Sequence, residues 1–102
     1  MANNTVATTT VDSAITGTGS VIKNGANTIV FSGANTYTGT TTVSAGTLQA
    51  GAANTFSAAS AHVVNSGTTL DLNNLNQTIG SLAGAGNVTL GNATLTLSLL
   101  PT

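Results

Sequence analysis

The residues able to do acid–base or nucleophilic chemistry in this chain are few. They are one histidine, one lysine, two aspartates, one tyrosine and a large excess of Ser and Thr hydroxyls. His62 has Ser60 just before it and Asp71 after it, so the residue types of a Ser-His-Asp relay are present. No Gly-x-Ser-x-Gly elbow surrounds Ser60. His62 reads instead as a loop histidine at the start of a strand. A glycosidase-like pair would need Asp12 and Asp71, the only carboxylates, to face each other at a defined separation. Asp71 alternates with Leu70 and Leu72, which puts it on the outer face of a strand, and Asp12 lies about three repeats away. Both read as solvated surface acids. Two carboxylates cannot build repeated calcium sites, and the Gly-Gly-x-Gly-x-Asp nonapeptide is absent. One His and no Cys leave no transition-metal set. "GTGS" (17–20) and "GAGN" (84–87) lack a third Gly at dinucleotide spacing and any Gly-Lys-Ser/Thr loop, so they read as turns. Tyr37 reads as a corner aromatic packed over the coil below, with its hydroxyl at the surface. Asn-x-Ser/Thr sequons at Asn3, Asn76, Asn87 and Asn92 are what a chain rich in Asn and Thr supplies by chance. No catalytic, cofactor-binding or metal-ligating residue is assigned.

The composition narrows the classes further. Charged residues make up 3% of 102 residues, against roughly 25% in ordinary soluble domains, while hydrophobic residues reach 40%. Disorder couples low hydrophobicity to high net charge, so this chain reads as folded. Lys23 alone cannot supply a nucleic-acid groove or a membrane-binding basic patch. The apolar runs span a few residues, well short of the roughly 20 that cross a bilayer. The N-terminus "MANNTVATTT" has neither a basic n-region nor an apolar h-region, and is read as the start of an excised segment.

The elements that would hold these residues show themselves as a repeat. "SVIKNGANTIVF" (20–31), "TTVSAGTLQA" (41–50), "HVVNSGTTLDL" (62–72) and "NVTLGNATLTL" (87–97) each run from a β-branched residue through a Gly step to Thr or Asn and an apolar residue. Their glycines, Gly25, Gly46, Gly67 and Gly91, are spaced 21, 21 and 24 residues apart. A degenerate further copy is expected around Val6 to Val11. Within the copies the period is two, as in "TLDL" (69–72) and "ATLTL" (93–97), which is strand patterning with one buried face. Gly, Asn, Ser and Thr clusters between strands are turn chemistry. The best helix candidate, "NTFSAASAHVV" (54–64), reads better as a loop excursion or irregular strand. A repeat of about 21 residues with two or three short strands fits one coil of a parallel β-solenoid, stacked at about 4.8 Å. In-register stacking sets like residues over one another, so the scarcity of charge fits. An antiparallel β-sandwich is the competing fold.

Residues 20–48 resemble the autotransporter-associated β-strand repeat, also called the passenger-associated transport repeat. Lys23, Gly25, Ser32, Gly33, Asn35, Thr36, Tyr37, Gly39, Thr41, Val43, Gly46, Thr47 and Leu48 fall on its pattern. "QTIGSLAGAGNVTLGNATLTL" (77–97) is similar to stretches that follow such repeats. "NGANTIVF" departs from the family's Gly-Thr-Leu-Thr-Leu-like strand, and no long, aromatic-girdled barrel strands are present. The resemblance implies an all-β fold: a single-stranded, right-handed parallel β-helix of about four to five coils. The expected division is an N-terminal strand, cap or degenerate coil over 1–18, solenoid repeats over 19–97 and a tail over 98–102. It also implies a non-enzymatic segment of a bacterial passenger, at the outer-membrane surface or outside the cell. There it would form a stalk that assists folding and export or adhesion.

Two functional readings stand. In the first the partners are neighbouring passenger segments. In the second, identical subunits stack head to tail through open ends into a fibre, with "TLTLSLLPT" as the apolar end and Pro101 as its breaker. Flat Thr and Asn ladders could engage carbohydrate or ice, but the Thr spacing is not expected to be uniform around the coils. Neither a cofactor, nor nucleic acid, nor membrane insertion is expected.

Overall fold

The computed structural model describes residues 8–98. Among them are eleven short strands and no helix: β1 (Thr8–Val11), β2 (Val21–Lys23), β3 (Thr28–Phe31), β4 (Thr41–Val43), β5 (Thr47–Ala50), β6 (Ala61–Val64), β7 (Thr69–Asp71), β8 (Gln77–Ile79), β9 (Ser81–Ala83), β10 (Asn87–Thr89) and β11 (Leu95–Leu97). Every pairing is parallel. The antiparallel sandwich is thereby excluded and the solenoid established. The chain winds through three walls in turn. One wall is the five-stranded sheet β1-β3-β5-β7-β10, and another is the four-stranded sheet β2-β4-β6-β9. The wall between them is irregular in the lower coils and becomes the pair β8-β11 in the upper two. This makes four complete coils and two walls of a fifth.

Strand register defines each coil. Thr8, Thr28, Thr47, Thr69 and Asn87 stack in one outward column, with offsets of 20, 19, 22 and 18 residues. The unequal offsets are taken up at corners and in the irregular wall, so Thr residues unevenly spaced in sequence become a regular column. The neighbouring outward column, Thr10, Val30, Gln49, Asp71 and Thr89, is mixed. Asp71 sits over Gln49 and accepts its Nε2–H at 2.8 Å, so the one carboxylate in the column meets an amide rather than another charge.

The inward columns form a thin continuous core. Ile29, Leu48, Leu70 and Val88 stack on one wall and Val43 and Val64 on another. Phe31, Ala50, Leu72 and Ile79 complete it. β5 and β6 alternate half-buried and buried positions without a break, which is the period-two pattern written in their sequence. Each fully buried Leu or Val contributes roughly 1.5–3 kcal/mol relative to exposure. Phe56 enters from the irregular wall and packs edge-on to Phe31, with ring centres 6.5 Å apart.

Residues 54–64 hold no helix, in keeping with the expected loop excursion: 61–64 are β6 and the preceding stretch is turns and bends that bury Thr55, Phe56 and Ser57. The phase of the fourth repeat is what changes. Gly25, Gly46 and Gly67 each turn the chain from the four-stranded to the five-stranded wall, and the glycine at that corner in the fourth coil is Gly84, not Gly91. Gly91 lies between β10 and β11, one corner further on. Period-two alternation is the same on every wall, so it cannot tell one wall from the next. The degenerate first copy appears as β1 from Thr8; Val6, Asn3 and Pro101 lie outside the described residues.

Candidate functional site

The side chains that could do chemistry are placed apart or made structural. Ser60 and His62 are fully buried at the start of β6 and within it, whereas Asp71 is on the outer face of β7 in another wall. The Ser60 hydroxyl donates to the Gly39 carbonyl at 2.5 Å. The His62 ring turns its Nδ1 to the Ser60 carbonyl at 2.9 Å, which makes Nδ1 the protonated nitrogen. Nε2 is buried without a hydrogen-bond partner. His62 is therefore a core residue rather than a loop residue. Its column runs Val21, Thr41, His62, Leu82, and Phe56 packs on it with ring centres 5.8 Å apart. Burial, opposed only by the Ser60 carbonyl, pushes its pKa down to about 4. Asp12 is exposed just beyond β1, three coils below Asp71. Among the sequons, Asn76, Asn87 and Asn92 are exposed, but the Asn76 side chain is engaged, accepting the Thr94 N–H at 2.8 Å.

Tyr37 also departs from expectation. Its ring is fully buried, and its hydroxyl lies 2.5 Å from Thr41 Oγ1 instead of at the surface. Thr41 Oγ1 is in turn 2.8 Å from Ser60 Oγ. Ser60 spends its proton on Gly39, so it accepts from Thr41, which accepts from Tyr37. The chain of donation is fixed in one direction. Burial pushes the Tyr37 hydroxyl pKa up, against the smaller opposing effect of the Thr41 and Ser60 hydrogen bonds.

The residues of the repeat pattern converge on one task, joining each coil to the next. Asn35, buried, donates through Nδ2 to the Thr55 carbonyl at 2.8 Å and accepts the Ile15 N–H on Oδ1 at 2.7 Å. One side chain thus links three coils across the irregular wall, where strand pairing is missing. Gly33 and Gly39 let that wall approach the coil below: a Cβ on Gly39 would overlap the Gly19 carbonyl, and one on Gly33 the backbone of Asp12 and Ser13. Lys23 points inward and is buried at the first corner. Its ammonium donates to the carbonyls of Gly25 at 2.6 Å and Ala45 at 3.1 Å, and burial lowers its pKa. Gly46 (φ 67°) turns the next corner so closely against the Asn27 and Gly25 carbonyls that no side chain fits there. Val43 and Leu48 fill the core between these joints.

Sequence reasoning did not single out Gln77, Thr55, Ser57 or Thr68, all buried. Gln77 Oε1 accepts the N–H groups of Thr55 at 2.8 Å and Phe56 at 3.0 Å, and Nε2 donates to the Ala52 carbonyl at 2.7 Å. It does between the third and fourth coils what Asn35 does between the first three. Asn74 and Asn76 continue the series by accepting the N–H groups of Asn92 and Thr94. A cleft of about 410 Å³ opens on the irregular wall, bordered by Ala34, Thr36, Asn54, Phe56, Ala59 and Thr78 among others. No group of three or more metal-ligating side chains exists among the described residues.

Fold and joints together define a parallel β-solenoid built from a passenger-type repeat. Residues 21–50 match the family described as Passenger-associated-transport-repeat, and the chain carries an autotransporter passenger repeat. Over 96 residues the chain is 42% identical to a protein named Adhesin BmaC autotransporter, from Brucella suis biovar 1 (strain 1330). The alignment covers 89% of this chain and 3% of that relative, so the chain spans a small fraction of its length. No solved structure matches.

Proposed function

We propose that this chain is a structural segment of a surface-exposed bacterial passenger, a β-helical stalk that assists passenger folding and export or adhesion. The observation that carries this reading is the use made of the repeat pattern. Lys23, Asn35, Tyr37 and Thr41 are spent on coil-to-coil joints or on core hydrogen bonds, and none is aimed outward at a ligand. The adhesin autotransporter relative supports a location outside the outer membrane. The partners in this reading are the neighbouring segments of a passenger, with no nucleic acid and no membrane insertion by this segment. The test is display. A passenger with this segment in place is compared with the same passenger carrying Asn35→Ala and Gln77→Ala in it, by antibody labelling of intact cells. Reduced labelling with retained synthesis supports the reading; unchanged labelling, with the segment shown to be unfolded, opposes it.

A second reading, assembly into a fibre by head-to-tail stacking, has one observation in its favour. Leu82, Leu90 and Leu97 on the last described coils are exposed. Sedimentation over a range of concentrations, with negative-stain images of the same samples, separates the two. Filaments one solenoid wide favour assembly, and a monomer at every concentration removes it.

A further inference from the structure

We propose that Asn24 is a built-in deamidation site, converted by attack of its own neighbour's backbone nitrogen in the corner between β2 and β3. Asn24–Gly25 is the only Asn-Gly pair in the chain. Asn24 is exposed, and the Gly25 N–H donates to Asn24 Oδ1 at 3.2 Å. The nitrogen that would attack and the amide to be attacked are therefore already side by side. In the next coil the corresponding corner is tied down, since Ser44 and Ala45 donate their N–H groups to the Lys23 carbonyl at 2.8 and 3.3 Å. Gly25, at φ 97°, carries no Cβ to crowd the approach. The Lys23 ammonium, held in the same corner by the Gly25 and Ala45 carbonyls, favours the negative charge that develops as the amide N–H is lost.

In the reaction the Gly25 nitrogen, giving up its proton, bonds to Asn24 Cγ. The Cγ–Nδ2 bond breaks and ammonia leaves, closing a five-membered imide. Water then opens the imide at Cγ to give aspartate, or at the Asn24 backbone carbonyl to give isoaspartate. No oxidant or cofactor is consumed. Either product takes the formal net charge from −1 to −2. Isoaspartate also lengthens the main chain by one methylene at a corner whose geometry Lys23 holds. The event would place a new carboxylate in the corner that holds Lys23, the one Lys or Arg of the chain.

The third-coil corner supplies an internal control. Asn65 is likewise exposed, but Ser66 follows it and its own N–H is bonded to the Val43 carbonyl at 3.1 Å. The whole chain is held folded at mildly alkaline pH and sampled by intact mass and peptide mapping, with isoaspartyl methyltransferase labelling of the peptides. The expected result is amide loss at Asn24 roughly tenfold faster than at Asn65, because only Gly leaves the backbone nitrogen open to approach. Asn24→Ser, checked for retained circular dichroism, should remove the fast phase and the acidic band in isoelectric focusing. Equal rates at Asn24 and Asn65, or loss at Asn24 only when the chain is unfolded in urea, would overturn the proposal.

Discussion

Asn35 Nδ2 in the second coil donates to the Thr55 carbonyl in the third at 2.8 Å, while its Oδ1 holds the Ile15 N–H of the first. Removing it takes one of two donors from the Thr55 carbonyl, which keeps the Asn35 backbone N–H at 3.3 Å, and leaves the Ile15 N–H without its acceptor. Asn35→Ala should cost about 1–3 kcal/mol, the usual penalty for one orphaned donor and one lost hydrogen bond. Asn35→Asp should be no rescue, because it keeps the acceptor for Ile15 but loses the donor to Thr55. Urea unfolding followed by circular dichroism reads both; a midpoint within error of the parent for Asn35→Ala would refute the role assigned to this side chain.

Gly39 and Gly19 form a matched pair. The Gly39 N–H donates to the Gly19 carbonyl at 3.1 Å, and a Cβ on Gly39 would run into that same carbonyl. A Cβ on Gly19 meets nothing within 4 Å. Gly39→Ala should therefore destabilise by about 2 kcal/mol or more, since the opposing atoms are backbone and cannot swing away. Gly19→Ala should stay within about 0.5 kcal/mol of the parent. Thermal melts of the two variants side by side test the difference, and equal melting temperatures would contradict the close approach.

How much of this could be read beforehand follows from what sequence periodicity encodes. "TLQA" and "AHVV" announce strands with one buried face, and Gly25, Gly46 and Gly67 mark true corners at near-constant spacing, so the solenoid was legible. The phase slip at Gly91 arose because alternation repeats identically on all walls. The irregular wall was not legible, because residues 33–40 and 51–60 have no alternation to follow and are held by side-chain amides together with isolated backbone bonds to neighbouring coils. The burial of the Tyr37 hydroxyl, His62 and Gln77 was missed for a related reason. Polar residues are expected outside, and only the folded stack shows that Gln77 meets its partners one coil away while the Tyr37 hydroxyl and the His62 ring find theirs, Thr41 and the Ser60 carbonyl, within their own coils.

Thr41 sits at the middle of the directed hydroxyl chain from Tyr37 to Gly39. Tyr37→Phe removes the first donor but leaves Thr41 able to donate to Ser60, so it should cost about 1 kcal/mol. Thr41→Val keeps the shape but deprives the buried Tyr37 hydroxyl of its acceptor, and should cost about 1–3 kcal/mol. The double variant should lose less than the sum of the two, because the residues share one bond. Denaturant midpoints for the three variants settle the order. A Tyr37→Phe loss larger than the Thr41→Val loss would reverse the direction of donation deduced above.

His62 makes stability depend on acid. In the fold Nδ1 donates to the Ser60 carbonyl, and Nε2 has no acceptor to receive a second proton's hydrogen bond. Thr41 from β4, Leu82 from β9 and Phe56 from the irregular wall surround the ring, and none carries a charge that could offset an imidazolium. The folded pKa is depressed from 6.5 to about 4. As pH falls below 6.5 the unfolded chain takes up the proton and the folded chain does not, so stability is intact above that pH and drains away down to about 4. A shift of this size corresponds to about 3 kcal/mol lost across the window. His62→Leu, which replaces the ring with an apolar side chain of similar size, should flatten the stability profile between pH 6.5 and 4 whatever it does to stability at neutral pH. Urea midpoints measured at half-unit steps through that range give the slope directly. A parent slope that survives in His62→Leu would place the titrating group elsewhere in the molecule.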